Sequence, residues 1–427
     1  MAGGMIFGLA AMSAFNIIDT YFVSRLGDSE LAAMSFTFPV ITLITSVSMG
    51  LGIGISSVVS RAIGSGNHHK APRLVTDGIL LALFIVIIFS ILGILTIRPL
   101  FSLLGAKGKT LDLIYEYMFI WYIGVPFVVI PMAGNNAIRA TGDTFTPSII
   151  MTVAVAANTV LDPLFIFGTG PFPELGIGGA ALATVIGRFT TLIFSLSILG
   201  FREKLIIFKI PKPRELLESW KHIIFVGGPA ALVQIINPLS LAIITRLLSG
   251  YSEDVVAGFG AASKVERLIM IIPMALSTAM TPFTGQNWGS KKVNRIVEGI
   301  KFSGVVSVAW GIIVFFVMLF AARPLTGLFS SGTEVINSGS SYLIIVSLSY
   351  GFLGVITLVS QSFSAINKPF HSGALVLIRA VIIYLPLALL GSYLWQETGI
   401  FAATLATNIA GGLVAFFYII KYLKKNA

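Results

Sequence analysis

The sequence predicts an all-α membrane protein with twelve transmembrane helices, arranged as two six-helix, pseudo-symmetric lobes around a central cleft. Three observations predict this fold class: the composition, a series of long apolar stretches and an internal repeat. Hydrophobic residues make up 56% of the 427 residues and charged residues only 11%, against about 25% charged residues in soluble proteins. This composition excludes a soluble enzyme, a disordered chain and a peripheral protein. Cysteine is absent, which excludes structural disulfides and thiolate metal sites.

Twelve stretches of the chain are long and apolar enough to span a membrane. A helix needs about 20 mostly apolar residues to cross a hydrocarbon core of ~30 Å. Turn-forming Gly, Pro and Asn residues separate the stretches. The predicted spans cover residues 4–24, 33–59, 75–97, 113–135, 145–167, 176–200, 222–248, 255–284, 299–322, 338–362, 372–394 and 399–420.

Cations in the loops predict the orientation. With the N-terminus inside, the cytoplasmic loops and the C-terminal tail hold 18 Lys and Arg residues, and the outer loops hold 6. Cytoplasmic loops carry such an excess, so both termini are expected in the cytoplasm, with the protein in the inner or plasma membrane. The net charge of +10 then needs no nucleic-acid partner. The first span begins almost at Met1 without a signal-peptide pattern, which favours a true start upstream.

The two halves of the chain repeat each other. The segment GIGGAALAT at 176–184 resembles GIFAATLAT at 399–407, at an offset of 223 residues. We therefore predict an N-lobe over 1–200, a cytoplasmic linker over 201–222 and a C-lobe over 223–427. Because each half holds an even number of helices, both have the same sense in the membrane, and such repeats are typical of secondary transporters. A large helical bundle without transport activity is the alternative.

Two acidic residues inside predicted spans are the strongest functional signal. Acidic groups in lipid are costly and indicate function by default. Asp19 and Asp162 both lie in the outer half of their spans without a neighbouring cation in the sequence. Asn16 and Asn158 share a helix face with them, at spacings of three and four residues. The predicted cation-coupling set is Asp19, Asn158, Asp162, Tyr117, Thr184 and Asn16.

This cluster suits a small cation. Two carboxyl groups in a desolvated environment can hold a proton, and the oxygens of Asp19, Asn158 and Asp162 suit Na⁺ by analogy with other hard cations. The alternative is that the two acids only pack against their helix neighbours. By the repeat offsets, Asp19 corresponds to Ser240 and Asp162 to Leu385. The coupling chemistry is therefore expected in the first half alone.

A substrate cavity is predicted from Lys264, Met34 and Asn237. Lys264 stands in the eighth span beside Glu266 and Arg267, and it either faces a cavity or offsets the neighbouring charge. Met34 suits an adaptable apolar lining or plain packing. The sequence holds no Walker A motif, nucleophile elbow or His-Glu-x-x-His pair. An enzyme, an ATP-driven pump and a cofactor other than the coupling ion are therefore not expected.

Four stretches together resemble the multidrug and toxic compound extrusion (MATE) family of transporters. The resemblance covers essentially the whole chain and implies two six-helix lobes around a cleft, which export cytotoxic organic, often cationic, compounds in exchange for H⁺ or Na⁺. The stretches are NIIDTYFVSRLG at 16–27, RATGDTFTP at 139–147, NTVLDP at 158–163 and GQNWG at 285–289.

The positions of the acidic residues also resemble those in one branch of that family. Asp19, Asn158 and Asp162 are similar to the first-lobe cation site of the DinF-like branch. The NorM-like branch adds acids in the seventh and tenth spans, where this sequence has none. The resemblance thus implies a first-lobe site, with Tyr117 and Thr184 as its neighbours.

The sequence accordingly predicts a drug/H⁺ antiporter, with Na⁺ as the alternative coupling ion. Its expected partners are small-molecule drugs or toxic organic compounds and the lipid bilayer, and it is expected to act as a monomer. The second hypothesis is a lipid-linked oligosaccharide flippase of the related superfamily, which would need a strongly cationic cavity for pyrophosphate. Only four cations are available for such a cavity, namely Arg188, Lys264, Arg267 and Arg379.

Overall fold

A computed structural model describes residues 2–67, 69–168, 172–209 and 212–426. Within the helices, the side chains of Asn16, Ile17, Thr20, Asp28 and Asn237 lie outside this description. The described residues are almost wholly helical and include no strand.

The chain divides into two compact units. Unit 1 comprises residues 3–59 and 67–231, and unit 2 comprises residues 60–66 and 232–427. The predicted division into 1–200, 201–222 and 223–427 stays a prediction. The helices up to residue 248 are α1 (Ala2–Ser24), α2 (Asp28–Gly64), α3 (Lys70–Leu103), α4 (Gly108–Gly124), α5 (Pro126–Ala140), α6 (Phe145–Ile166), α7 (Gly176–Ser197) with a π-helical end (Ile198–Arg202), and α8 (Pro213–Leu248). The later helices are α9 (Glu253–Ile269), α10 (Ile271–Gly289), α11 (Val293–Gly327), α12 (Thr333–Ser347), α13 (Tyr350–Ala365), α14 (Pro369–Leu377), a π-helical segment (Ile378–Ile383) and α15 (Tyr384–Lys425).

The described helices supply the predicted number of spans. Seven are long and apolar enough to cross a membrane, and ten spans result when each bent pair counts as one. The pairs α4–α5, α9–α10 and α12–α13 bend by 42°, 48° and 57°. The run from α14 to α15 has 57 residues, about 85 Å of helix, so it must cross a ~30 Å core twice. With the 23 residues of α1, the count reaches twelve.

The double crossing at the end of the chain turns at a specific break. Trp395 and Gln396 leave helical geometry, and Gln396 has a φ of 54°. On either side, Gly391 and Gly399 bring their backbones together, because a side chain on Gly399 would collide with the carbonyl oxygen of Gly391. The absence of a side chain at these two positions therefore permits the tight turn.

Helix α7 is central to unit 1. It packs against α4, α5 and α6, and its first turns are small buried residues, among them Gly179 and Ala183. A side chain on Gly179 would collide with the carbonyl oxygen of Phe165 on α6. Small residues let membrane helices approach closely, so the GIGGAALAT segment brings the polar faces of α6 and α7 together.

Unit 2 is built around α13 and α12. Helix α13 packs against α10, α11 and α15, and α12 packs against α9. The ring of Tyr342 on α12 meets Phe259 and Phe401 edge-on, at centroid distances of 5.0 and 5.2 Å. This geometry favours aromatic pairs and fixes Tyr342 in the buried core.

Asp143 organises the loop between α5 and α6. Its Oδ1 accepts the backbone N–H groups of Phe145 and Thr146 at 3.1 and 3.0 Å, and its Oδ2 forms an ion pair with Arg202 at the π-helical end of α7. Partial burial acts to raise the pKa of Asp143, but the hydrogen bonds from Thr146 and Arg202 outweigh it and hold the pKa below its ordinary value of 3.8. The ionised carboxylate therefore stabilises the start of α6 and its link to α7.

Asp143→Asn should lower the thermal unfolding midpoint at pH 7, because it keeps the acceptor oxygen and loses the ion pair. The cost should be at most about 1 kcal/mol, as for partly exposed pairs. Asp143→Ala should cost about 1 kcal/mol more, since it also removes the helix cap. Because the pKa is lowered on folding, the wild-type advantage over Asp143→Asn should vanish as the pH falls through the folded-state pKa, below 3.8. A pH-independent difference in unfolding midpoints would contradict this account.

Candidate cation-coupling site

Helices of unit 1 bring five of the predicted site residues into one buried cluster. Helix α1 carries Asp19, α4 carries Tyr117, α6 carries Asn158 and Asp162, and α7 carries Thr184. Asp162 is 0% exposed and Asp19 is 6% exposed. Asp19 and Asp162 interact electrostatically with each other and with the Tyr117 hydroxyl. The cluster is defined here by these five residues.

Several oxygens of this cluster lack a hydrogen-bond partner among the described residues. Asn158 Nδ2 donates to Asp162 Oδ1 at 3.1 Å, as their spacing of four residues predicts. Three buried acceptors nevertheless have no hydrogen-bond partner within the described part of the chain, namely Asp19 Oδ1, Asn158 Oδ1 and Asp162 Oδ2. Buried polar atoms are rarely left unpaired. Three such acceptors suit a proton or a hard cation with oxygen ligands.

Arg188 adds a cation that sequence reasoning left out of the site. Its guanidinium lies over the ring of Phe15, 5.1 Å from the centroid, and interacts electrostatically with Asp19. Neither acid of the cluster forms a close ion pair with a described residue. The spacing of Thr184 and Arg188 by four residues puts both on one face of α7, and this signal could have found Arg188 in the sequence.

A small cavity adjoins the cluster. Its volume is about 10 Å³, the space of roughly one water molecule. Its polar walls come from Asn158, Thr184 and Arg188, and its apolar walls include Phe15. The cavity gives the unpaired oxygen of Asn158 room for one water or one small cation.

The other predicted residues lie elsewhere or are not described. Asn16 on α1 and Asn237 on α8 have side chains outside the described part of the structure. Met34 is half-buried on α2, and its carbonyl oxygen accepts the Thr37 hydroxyl at 2.7 Å. Lys264 is exposed on α9, with its Nζ 5.2 Å from the ring centroid of Phe329. The role of these residues in a substrate cavity stays a prediction.

The structure corrects one correspondence between the repeats. The buried positions on the helix that matches α6 are Ala380, Tyr384 and Ala388, spaced as Asn158, Asp162 and Ile166 are. Tyr384, not Leu385, is therefore the structural counterpart of Asp162. The same offset of 222 relates the buried residues Ile150 and Ala154 of α6 to Ser372 and Val376 of α14, so the burial pattern of the two helices runs in one register.

Unit 2 has its own polar group, built differently. Glu266 on α9 accepts the hydroxyl of Tyr342 at 2.7 Å. Arg379 donates to Asn408 at 2.7 Å, and Asn408 donates to Ser349 at 3.0 Å. Glu266, Arg379 and Asn408 thus each have a hydrogen-bond partner, while Arg379 Nε and the Tyr350 hydroxyl have none among the described residues.

Fold and comparisons together define a multi-pass membrane transporter. A family model described as MatE matches residues 5–164 and 229–390, once in each half of the chain. The chain belongs to the MATE family, which confirms the resemblance seen in the sequence. The DinF-like assignment within the family stays a prediction.

Individual relatives cover nearly the whole chain. It is 38% identical to the FAD transporter of Shewanella oneidensis over 415 residues, 96% of this chain and 91% of that one. It is 24% identical to the multidrug export protein MepA of Staphylococcus aureus over 433 residues, 99% and 92% of the two chains. The crystal structure of the Vibrio cholerae MATE transporter VcmN in the bent form matches with a TM-score of 0.94 and 28% identity, over 100% of this chain and 96% of that one. This match confirms the predicted all-α membrane fold.

Asn158→Ala should lower the unfolding midpoint by an amount equivalent to about 1–3 kcal/mol, because it leaves Asp162 Oδ1 buried without its donor. Thr159→Ala is the matched control: the neighbouring Thr159 hydroxyl bonds only the carbonyl oxygen of Val155 on its own helix, so its loss should be nearly neutral. Thermal unfolding of the purified variants in detergent measures both. Equal decreases of the unfolding midpoint in the two variants would show that the Asn158–Asp162 hydrogen bond contributes no more to stability than the bond of Thr159.

Proposed function

We propose that this chain is a secondary active exporter that moves organic compounds out of the cell in exchange for H⁺, with Na⁺ as the alternative ion. Asp19 and Asp162 are the proposed ion-binding residues, with Asn158, Tyr117 and Thr184 around them. One observation carries the proposal: two buried carboxyl groups in one unit are close enough to interact, while three neighbouring oxygens lack partners. Unpaired charge at this depth is costly, and a bound cation offsets it.

The coupling of substrate transport to the ion follows from the energetic cost of this unpaired charge. With both carboxylates ionised, like charges oppose each other in a desolvated site. A proton or Na⁺ removes the repulsion and stabilises the packing of α1 against α6 and α7. Substrate and ion exchange for each other when each favours a different conformation of the protein, because a ligand shifts a conformational equilibrium only through its differential affinity. In this account ions enter the site from outside and substrate binding releases them inside.

Several further features belong to the same proposal. The chain acts as a monomer in the inner or plasma membrane, with both termini in the cytoplasm and two six-helix lobes around a central cleft. The site resembles that of the DinF-like branch, and the hydrogen-bonded Glu266 of unit 2 supports a single coupling site in the first lobe. A lipid-linked oligosaccharide flippase is the alternative, and accumulation of a lipid precursor in a null mutant would favour it.

Two substrate classes are proposed, and similarity to a relative supports each of them. Organic cations and amphiphilic drugs follow from similarity to multidrug export proteins at 24% identity. FAD follows from the 38% identity to a FAD transporter over nearly the whole chain. Both classes are aromatic, and they differ in charge. Ethidium and FAD are therefore suitable probes for the two classes in proteoliposomes.

Asp19→Asn and Asp162→Asn should each abolish pH-gradient-driven transport in proteoliposomes, because an amide cannot take up the coupling proton. Asp112→Asn is the matched control, since Asp112 pairs with Arg98 at the surface and its side chain is 66% exposed; its transport rate should stay at the wild-type level. Initial rates for both probes give the readout. Coupled transport retained in both site variants would refute the role of these residues.

Transport driven by one gradient at a time distinguishes H⁺ from Na⁺ as the coupling ion. With a pH gradient alone, wild-type protein should accumulate substrate, and with a Na⁺ gradient at equal pH it should not. Accumulation driven only by Na⁺ would assign Na⁺ to the same oxygens. No response to either gradient would reject secondary transport.

A further inference from the structure

The exposed face of α9 differs from the exposed faces of its neighbours. Ala257, Gly260, Lys264 and Arg267 are all exposed, and their spacing of three, seven and ten residues puts them on one side of the helix. Leu268 lies beside them and is 51% exposed. Toward the start of α9 the same side carries the exposed acids Glu253 and Asp254, so the small and cationic part of this face runs from Ala257 to Arg267, in a helix that forms part of a membrane span.

Faces that meet lipid have another composition in this chain. On α3, Ile91 and Leu95 are 55% and 71% exposed. On α11, which belongs to unit 2 like α9, Phe316 and Phe320 are 59% and 82% exposed. Large apolar side chains are what a hydrocarbon environment favours. The cationic face of α9 is thus suited to water, not to lipid.

The two cations of this face form no close ion pair. Among the described residues, neither Lys264 nor Arg267 forms a salt bridge. Glu266, the acid between them, accepts a hydrogen bond from the buried Tyr342 instead. Glu266 is thus hydrogen-bonded in the core and offsets part of the charge of Arg267 electrostatically, which leaves the Lys264 ammonium and the rest of the guanidinium charge for another partner.

Depth supports a water-filled passage. Arg267 lies about 21 Å along α9 from Glu253 at 1.5 Å per residue, well into a span of ~30 Å. Charged groups at such depth are rare, and they face protein interiors or aqueous cavities. Lys264 lies one turn nearer the start of α9, and its ammonium lies over the ring of Phe329, which is 48% exposed. Two cations one turn apart on α9 and the ring of Phe329, from the turn after α11, are thus exposed near one another.

We propose that Lys264 and Arg267 bind the anionic group of the transported compound, so that the substrate class is an aromatic anion with a phosphate or carboxylate group. This inference rests on the proposed export function and narrows its substrate. A guanidinium binds phosphate or carboxylate through two parallel hydrogen bonds, and an ammonium adds a point charge beside it. The exposed ring of Phe329 offers a stacking surface for an aromatic part of the same compound.

Equilibrium binding to the purified full-length protein tests this assignment. The probes are FAD, an aromatic pyrophosphate, and ethidium, an aromatic cation, both followed by fluorescence at low and high salt. The Lys264→Gln/Arg267→Gln double variant should bind FAD at least about tenfold more weakly and bind ethidium no more weakly than wild type. Wild-type affinity for FAD should fall as salt rises, because exposed charges are screened, and the double variant should lose most of that dependence.

Two further variants keep the test specific. Lys264→Arg/Arg267→Lys conserves both charges and should restore most of the FAD affinity. Lys421→Gln/Lys424→Gln removes two exposed cations of the C-terminal tail and should change nothing. Unchanged FAD affinity in the Lys264→Gln/Arg267→Gln variant would overturn the proposal, as would absence of FAD binding to wild-type protein.

Lipid headgroups are the competing phosphate source, and a phosphorus assay on the purified protein separates them. If the double variant loses bound phospholipid while its FAD affinity is unchanged, the two cations hold lipid and the proposal is wrong. Failure of the export function is distinguishable from this result, because the binding experiment needs no gradient: wild-type protein that binds FAD but transports neither probe would reject only the export function. Ethidium transport driven by a pH gradient without any FAD binding would retain the export function and reject only the anionic substrate class.

Discussion

The burial of two carboxyl groups within one helical unit is the constraint on which the rest of the account depends. Asp19 and Asp162 lie on different helices, are almost fully buried and interact with each other. Lipid and protein interiors tolerate such groups only with compensation, and Arg188 near Asp19 supplies part of it. The remaining unpaired oxygens make the stability of this unit sensitive to a bound cation. A site of this kind links ion binding to helix packing without any cofactor.

The two halves of the chain come from one repeated fold but carry different polar groups. Both halves match the same family model, yet unit 1 leaves acceptor oxygens free while Glu266 in unit 2 takes a hydrogen bond from Tyr342. Tyr384 has the place in the burial pattern of unit 2 that Asp162 has in unit 1. Unit 2 presents Lys264 and Arg267 outward. An exporter divided in this way would handle the coupling ion in one half and the charge of the substrate in the other.

Sequence reasoning predicted the fold class and the family because they depend on local signals. Apolar length, loop cations and repeated motifs can each be recognised without knowing which helices touch. The Asn158–Asp162 hydrogen bond followed for the same reason, from a spacing of four residues on one helix. The four-residue spacing from Thr184 could have put Arg188 on the site face of α7, but its interaction with Asp19 depends on contact between α7 and α1, which are far apart in the chain. Leu385 was matched to Asp162 from an offset of 223 residues, whereas the buried positions of the two helices match at 222, and burial is not visible in the sequence. The exposure of Lys264 also could not be predicted from the sequence, because it depends on which faces of α9 the neighbouring helices cover.

Proton release on substrate binding tests the central claim most directly. Purified protein in weakly buffered detergent solution, followed with a pH indicator dye, should release protons when a transported compound is added. The Asp19→Asn/Asp162→Asn double variant should bind the compound and release none. Proton release of wild-type size from that variant would place the coupling ion elsewhere and contradict the account.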